Sequence, residues 1–430
     1  MAHPVILEEE CIGCGICAQA CPIDVITMLA PGDKPENANN GQKGGNRMRT
    51  AYCRTFQAVM KVANYFLGYR MPEYIEGPGS IRRLPELLKD KGAENVLVVT
   101  DSGLVKLGLP NGMLEAFEEH GIQYSVFHEI APNPTSDNVE AGFQVYREHG
   151  CQALVAFGGG APMDCAKAIA AKAVHPNKSV AQLQGILKVH KRIPLLFAVP
   201  TTAGTGSEMD AAGVITNEHT NEKIGFGNPA LFPVLSIVDL ELTKSIPAKF
   251  TAYQGFDALF HSVECYISNK SNLLGDMYAL TAIENIARYV PRAVKDGSDM
   301  EAREHIAFAS NLSGAVMTIS GCTSEHSLEH AMSAYHGDLP HGAGLIMISK
   351  AYYQHFINVH ACDGRFINMA KAMGIPTAEQ PEDFITALEA LKEKCHVKNL
   401  KMSDYGMKAE EIPQIVQNAF ETMNRLFQND

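Results

Sequence analysis

Two groups of residues suited to metals stand far apart in this chain. The first is "CIGCGICAQACP", where Cys11, Cys14, Cys17 and Cys21 follow the spacing C-x2-C-x2-C-x3-C-P. Thiolates at such intervals can wrap an iron–sulfur cubane. The second lies in "GFDALFHSVE" and "EHSLEHAMSAYHGDLPHGAG". Asp257 and His261 are four apart on an expected helix, so a carboxylate and an imidazole share one face, one turn apart. His326 and His330 repeat that spacing, and His341 follows in the turn-like "LPHGAG". One carboxylate with three imidazoles suits a divalent iron or zinc ion with a position open for a substrate oxygen. A single histidine is by default a packed or surface residue, but candidates in two helical pairs favour a metal. Spacing alone gives no reason to choose among His330, His336 and His341 as the fourth ligand.

A second set of residues suits a nucleotide. "ALVAFGGGAPMDCAKAIAAKAV" reads as strand, glycine turn and helix, with Gly159 and Gly160 at the turn. Glycines let the backbone approach a pyrophosphate, and the helix start offers free N–H groups. The run is not G-x-G-x-x-G, so a tight turn without a ligand explains it about as well. "AVPTTAGTGSEM" presents Thr201, Thr202, Thr205 and Ser207 after another strand, either lining a nucleotide or forming an ordinary loop. Asp101 ends "NVLVVTD", where a carboxylate accepts hydrogen bonds from ribose hydroxyls and repels a ribose phosphate. The plainer reading of Asp101 is a helix N-cap.

The elements that must hold these residues divide the chain. Residues 1–30 carry the cysteines, and 31–50 read as a flexible linker rich in Gly, Asn, Pro and Lys. "RTFQAVMKVANYFLGYR" (54–70) has apolar residues at helical spacing and reads as a leading helix of an α/β region over 51–240. There, strands at 95–101, 123–130, 153–160 and 194–208 alternate with helices at 113–121 and 139–150, the pattern of an open parallel sheet with helices on both faces. From 241 to 430 long helical stretches dominate, and an all-α domain is expected. Net charge is −12, against a nucleic-acid partner. No apolar run reaches the ~18–20 residues of a membrane span, and "MAHPVILEEE" lacks an export pattern. The 11 cysteines form no disulfide-like framework, so a cytoplasmic location is expected.

From about Arg70 onward the sequence resembles the iron-containing alcohol dehydrogenase family, related in fold to dehydroquinate synthase. The matching pieces, in order, are "VVTDSGL", "APNPTSD", "FGGGAPMDCAKA", "VPTTAGTGSE", "GFDALFHSVE" and the paired histidines ending in "LPHGAG". The resemblance implies an α/β nucleotide-binding domain, an all-helical domain and an active site between them. It makes Asp257, His261, His326 and His341 the metal ligands, with His330 as the residue that relays the proton or stands beside the substrate. It puts Asp101, Asn133, Gly159, Gly160, Asp164, Thr201, Thr202, Thr205 and Lys223 on cofactor positions. The implied cofactors are NAD, with NADP as the alternative, and Fe2+, with Zn2+ as the alternative. Ala161 stands where the family usually has Ser. The chain stops at "ETMNRLFQND", earlier than the resemblance leads one to expect, which puts a last helical segment in question.

The implied reaction transfers a hydride between nicotinamide and a short-chain primary alcohol or aldehyde. Two other readings compete. One is a lyase or cyclase of the dehydroquinate-synthase kind. The other, an iron–sulfur electron carrier, rests on the ferredoxin-like cysteines alone. Only one such run is present, and in two-cluster ferredoxins the fourth Cys serves the other cluster, so three readings stay open for a 4Fe-4S cluster: Cys53 completes the set of Cys11, Cys14 and Cys17, the four cysteines bind no intact cluster, or Cys21 of each of two chains closes the cluster of the other. A homodimer or higher homo-oligomer is expected, and a redox partner would meet the N-terminal segment.

Overall fold

The computed structural model describes residues 71–186, 188–189, 191–422 and 426–430, together with Arg54, Thr55, Gln57 and Ala58. Those four residues are helical, as expected for the start of the leading helix. The rest of that helix, the segment 31–50 and Cys11, Cys14, Cys17 and Cys21 lie outside the described residues.

In chain order the α/β part comprises β1 (Glu73–Glu76), α1 (Leu84–Asp90), β2 (Asn95–Val99), α2 (Ser102–Lys106), α3 (Asn111–Glu119), β3 (Gln123–Phe127), α4 (Ser136–Glu148), β4 (Ala153–Gly158), α5 (Gly160–Val174), α6 (Val180–Leu183), β5 (Gly185–Ile186), β6 (Leu195–Pro200), β7 (Ala212–Asn217), β8 (Glu222–Gly227) and β9 (Leu235–Val238). Six strands form one sheet in the order β1-β9-β6-β4-β2-β3, with every pair parallel. The period of two sorts its core. Leu97, Val99, Leu154 and Ala156 face Phe127, Val139 and Ile169 on one side. Val96, Val98, Val155 and Phe157 face Leu84, Leu88 and Phe117 on the other. Burial on both faces is why these strands are continuous apolar runs.

The sheet fixes where a ligand can bind. From β2 the chain moves outward to β3, then returns to the other side of β2 for β4. The switch point lies between the carboxyl ends of β2 and β4, the place where open parallel sheets leave a crevice. Asp101 follows β2, and Gly159 and Gly160 follow β4. A small sheet in the order β5-β8-β7 was not legible in the sequence. It carries Lys223 on β8.

The remainder is helical: α7 (Ala248–Ile267), α8 (Leu273–Lys295), α9 (Met300–Ser320), α10 (Glu325–Tyr335), α11 (His341–Asn358), α12 (Asp363–Ala372), α13 (Glu382–Lys394) and α14 (Ile412–Glu421). Every residue of α7 from Gly255 to Ile267 is buried, so this helix is a central post rather than an amphipathic cover. Around it Phe260, Tyr353, Phe366 and Phe384 form an aromatic cluster, with Tyr353 edge-on to Phe384 at 5.4 Å. Such pairs add about 0.5–1.5 kcal/mol beyond their buried area.

Close backbone contact joins the two parts. A Cβ on Gly314 of α9 would lie 2.1 Å from the carbonyl oxygen of Gly206, and Gly206 itself has φ 60°. The turn that follows β6 therefore docks on the helical part without intervening side chains.

Candidate metal centre and nucleotide-binding edge

Asp257 and His261 project from the buried post α7, His326 from the first turn of α10, and His341 from the start of α11. Asp257 Oδ1 lies 3.6 Å from His261 Nδ1, 3.5 Å from His326 Nε2 and 3.5 Å from His341 Nε2. The His261 and His326 rings stack at 4.2 Å. Asp257 Oδ1, His261 Nδ1 and His326 Nε2 are buried without a hydrogen-bond partner among the described residues. Buried polar atoms left unpaired cost about 1–3 kcal/mol each. Three that converge from three directions are what a missing cation would satisfy, and one carboxylate with three imidazoles is a fitting donor set for Fe2+ or Zn2+. The side chains of Asp257, His261 and His326 are at most 8% exposed and that of His341 is 27% exposed, so the open approach is beside His341.

Two buried glutamates orient this set. The imidazole Nδ1–H of His326 donates to Glu264 Oε2, and that of His341 donates to Glu329 Oε2. Each bond fixes the tautomer that leaves Nε2 free for a metal. Burial would raise the Asp257 carboxyl, but the surrounding imidazoles hold it well below the usual range. Burial pushes His261 down to about 3, against the pull of Asp257. Burial would lower His326 too, but Glu264 and Asp257 together hold it well above its ordinary value.

His330 stands apart from the converging set. Its ring lies 5.5 Å from that of His341, on the open side. Burial and the nearby Lys223 ammonium lower its pKa well below the ordinary value, so it is neutral at pH 7. His336 is turned away, with Nε2 3.3 Å from Glu411, which removes it from the alternatives left open by spacing.

At the nucleotide edge, Asp101 is the N-cap of α2, accepting Gly103 N and Leu104 N through Oδ1. A cap bond pins the carboxylate at the switch point and does not exclude a ribose contact. Gly159 and Gly160 open the 15-residue helix α5, which has no side-chain cap at its N-terminus. Substituents on these glycines would strike Thr202 Cγ2 at 3.1 Å and Thr205 Cγ2 at 2.8 Å, so glycine loop and threonine turn touch. Thr201 N donates to Gly158 O. Asp164 is directed inward: Oδ1 accepts Ser207 Oγ and Oδ2 accepts Val214 N, and burial raises its carboxyl to about 6. Its two oxygens are thus engaged by the end of the threonine turn and by strand β7.

Asn133 and Lys223 reach from the α/β part into the helical part. Lys223 Nζ donates to Asn133 Oδ1 and Ser333 Oγ, each at 2.9 Å, and lies 3.6 Å from Glu329 Oε2. Asn133 Nδ2 donates to Gly337 O. His261 also hydrogen-bonds the backbone of Gly204 in the threonine turn. The glycine and threonine loops and the converging Asp–His set therefore adjoin one another.

Sequence reasoning missed Glu264 and Glu329. Their signal was faint: Glu264 follows His261 by three residues and Glu329 follows His326 by three. Yet Glu264 serves His326, and Glu329 serves His341. Helical spacing would have paired each with the wrong ring.

Comparison with known proteins agrees with this layout. Residues 72–240 match the family model described as iron-containing alcohol dehydrogenase, and residues 251–429 match the C-terminal part of the Fe-containing alcohol dehydrogenase family. Residues 4–27 match a 4Fe-4S binding domain. The NAD-dependent methanol dehydrogenase of Bacillus methanolicus is 31% identical over 84% of this chain and 94% of its own length. The 1,3-propanediol dehydrogenase of Klebsiella pneumoniae is 33% identical over 83% and 95%. Among solved structures, an archaeal alcohol dehydrogenase from a Red Sea brine pool superposes with a TM-score of 0.78 at 32% identity, covering 84% of this chain and 94% of that one. The two family matches and these relatives, which span the α/β sheet and the metal-bearing helices alike, show that the chain belongs to the iron-containing alcohol dehydrogenase family.

Proposed function

We propose that this alcohol dehydrogenase holds Fe2+ at Asp257, His261, His326 and His341 and reduces short-chain aldehydes, or oxidises the matching primary alcohols, with NAD. The observation that carries the reading is the convergence of three imidazole nitrogens on the unpartnered Asp257 Oδ1, one hydrogen bond from the threonine turn. Once bound, the ion would supply Lewis acidity at the substrate oxygen and the nicotinamide would supply or take the hydride.

The chain's own residues do the rest. Glu264 and Glu329 keep two imidazoles in register. The uncapped start of α5 and the Gly159–Gly160 turn receive the pyrophosphate. The carboxylate of Asp101 favours a free ribose hydroxyl over a phosphate, which selects NAD rather than NADP. A ring nitrogen of the neutral His330 accepts the alcohol proton and returns it in the reverse direction. Buried apolar residues around α7 keep bulk water from the far side of the site.

In this reading residues 51–240 bind the nucleotide and 241–430 the metal, and the chain works as a homo-oligomer in the cytoplasm. Cys11, Cys14, Cys17 and Cys21 carry an iron–sulfur cluster that serves a redox partner or assembly, supported by the 4Fe-4S match over residues 4–27. Cluster and hydride chemistry are separate. No described helix is long and apolar enough to cross a membrane.

The test is anaerobic iron loading followed by an aldehyde panel with NADH and NADPH. His261→Ala should lose metal and turnover while keeping its fold. Normal metal content and turnover in that variant, or equal efficiency with both cofactors in the parent, would contradict the corresponding half of the reading. Deleting residues 1–48 should remove the brown cluster absorbance and leave aldehyde reduction in place.

A further inference from the structure

The helical part holds a buried pair of thiols that the proposed reaction does not use. Cys265 is in α7, one residue past Glu264. Cys322 lies in the short segment between α9 and α10, after Gly321 with φ 71°. Their sulfurs are 3.8 Å apart, and the two residues are 0% and 6% exposed. That separation is far beyond a disulfide bond of about 2.05 Å. It equals the sulfur–sulfur edge of a tetrahedral metal site, because metal–sulfur bonds of about 2.3 Å give edges of about 3.8 Å.

The pair adjoins the imidazoles already described. The ligand atoms of Cys322, His261 and His326 all lie within 4.8 Å of one another, and all three residues are buried. His261 Nδ1 and His326 Nε2 are the atoms without hydrogen-bond partners. Lys270 Nζ comes up beside this segment, 2.6 Å from where a Cβ on Gly321 would stand. Sulfur donors select soft cations, whereas the Asp257 carboxylate suits harder ones.

We propose that Cys322, His261 and His326, with Cys265 standing beside the Cys322 sulfur, form a second coordination mode that captures thiophilic divalent cations such as Cd2+ or Zn2+. Binding forms metal–sulfur bonds and releases the thiol protons to solvent. Because both modes use His261 and His326, one cation excludes the other. A soft ion held by the sulfurs leaves Asp257 and His341 without a shared metal, so it acts as an inhibitor. The proposal rests on the iron site only in sharing those two imidazoles.

The test is cadmium-113 NMR on the full-length, metal-free protein. One resonance in the mixed nitrogen–sulfur range is expected, apart from any sulfur-only signals of the N-terminal cysteines. It should disappear in Cys322→Ser, with cadmium affinity at that site falling about tenfold or more, and shift in Cys265→Ser. It should persist in His341→Ala. Cys322→Ala with an unchanged circular dichroism spectrum controls for misfolding. A resonance that survives Cys322→Ser and vanishes in His341→Ala would put cadmium on the oxygen–nitrogen set and overturn the proposal. Failure of the aldehyde reductase reading would appear separately, as iron-loaded protein without turnover.

Discussion

Replacing Glu264 by Gln tests how strongly the site depends on a residue that would never touch the metal. Glu264 is fully buried, and its two oxygens have different duties. Oε1 accepts Glu325 N at 2.8 Å and Thr323 Oγ1 at 3.2 Å, while Oε2 accepts Nδ1–H of His326. A glutamine keeps the shape and must place its carbonyl oxygen on the Glu325 and Thr323 donors. Its NH2 then faces His326 Nδ1. Two donors cannot share that contact, so the imidazole is driven to the tautomer with its proton on Nε2, where the metal should bind. Removing such a supporting carboxylate typically weakens metal binding about 10- to 100-fold, or about 1.4–2.7 kcal/mol. Chelator competition under anaerobic conditions measures the iron dissociation constant, and thermal unfolding checks the fold. At saturating iron much of the turnover should return. Iron affinity within twofold of the parent, in a variant that melts normally, would refute the assigned tautomer and the role of Glu264.

Three further outcomes follow from the geometry of the nucleotide side. Lys167 Nζ is buried and donates to Ser207 O, Ser207 Oγ, Asp210 Oδ1 and Ala212 O; Lys167→Met leaves buried carboxylates without their cation and should destabilise the fold by about 3–5 kcal/mol in denaturant titration. Burial raises the Glu208 carboxyl from 4.5 to about 7, so the folded state binds that proton more tightly than the unfolded one. Its contribution to stability therefore falls as pH rises through that window, and Glu208→Gln should gain on the order of 1–3 kcal/mol over the parent at about pH 8, with the gain shrinking towards about pH 5. In Gly160→Val the new side chain meets Thr205 and fills the turn proposed to receive the pyrophosphate. The apparent KM for NADH should rise about tenfold or more, with iron content unchanged.

The sequence made the sheet and the converging Asp–His set visible for definite reasons. Strands β2, β4 and β6 are buried on both faces, so they appear as unbroken apolar runs such as "ALVAFG". Asp257 with His261 could be read because one turn of helix converts spacing into proximity. His341 could not be separated from His336 by spacing. What separates them is the path of the chain after α10, which sends His336 to Glu411 and His341 back to Asp257. Strands β7 and β8 escaped notice because "AGVITN" and "EKIGFG" are only partly buried and so lack an unbroken apolar run. With them went the position of Lys223. The orientation of Asp164 towards Ser207 and Val214 depends on tertiary contacts across about 40–50 residues that no local pattern encodes. The carboxylates behind His326 and His341 were hidden for the same reason.

The most direct test of the metal centre is anomalous X-ray scattering at the iron edge from crystals grown anaerobically with Fe2+. One peak is predicted, in bonding distance of Asp257 Oδ1, a ring nitrogen of His261 and Nε2 of His326 and His341, at about 2.0–2.2 Å from each. A site with no iron between Asp257 and the three imidazoles, in crystals whose protein turns over aldehyde, would contradict the account.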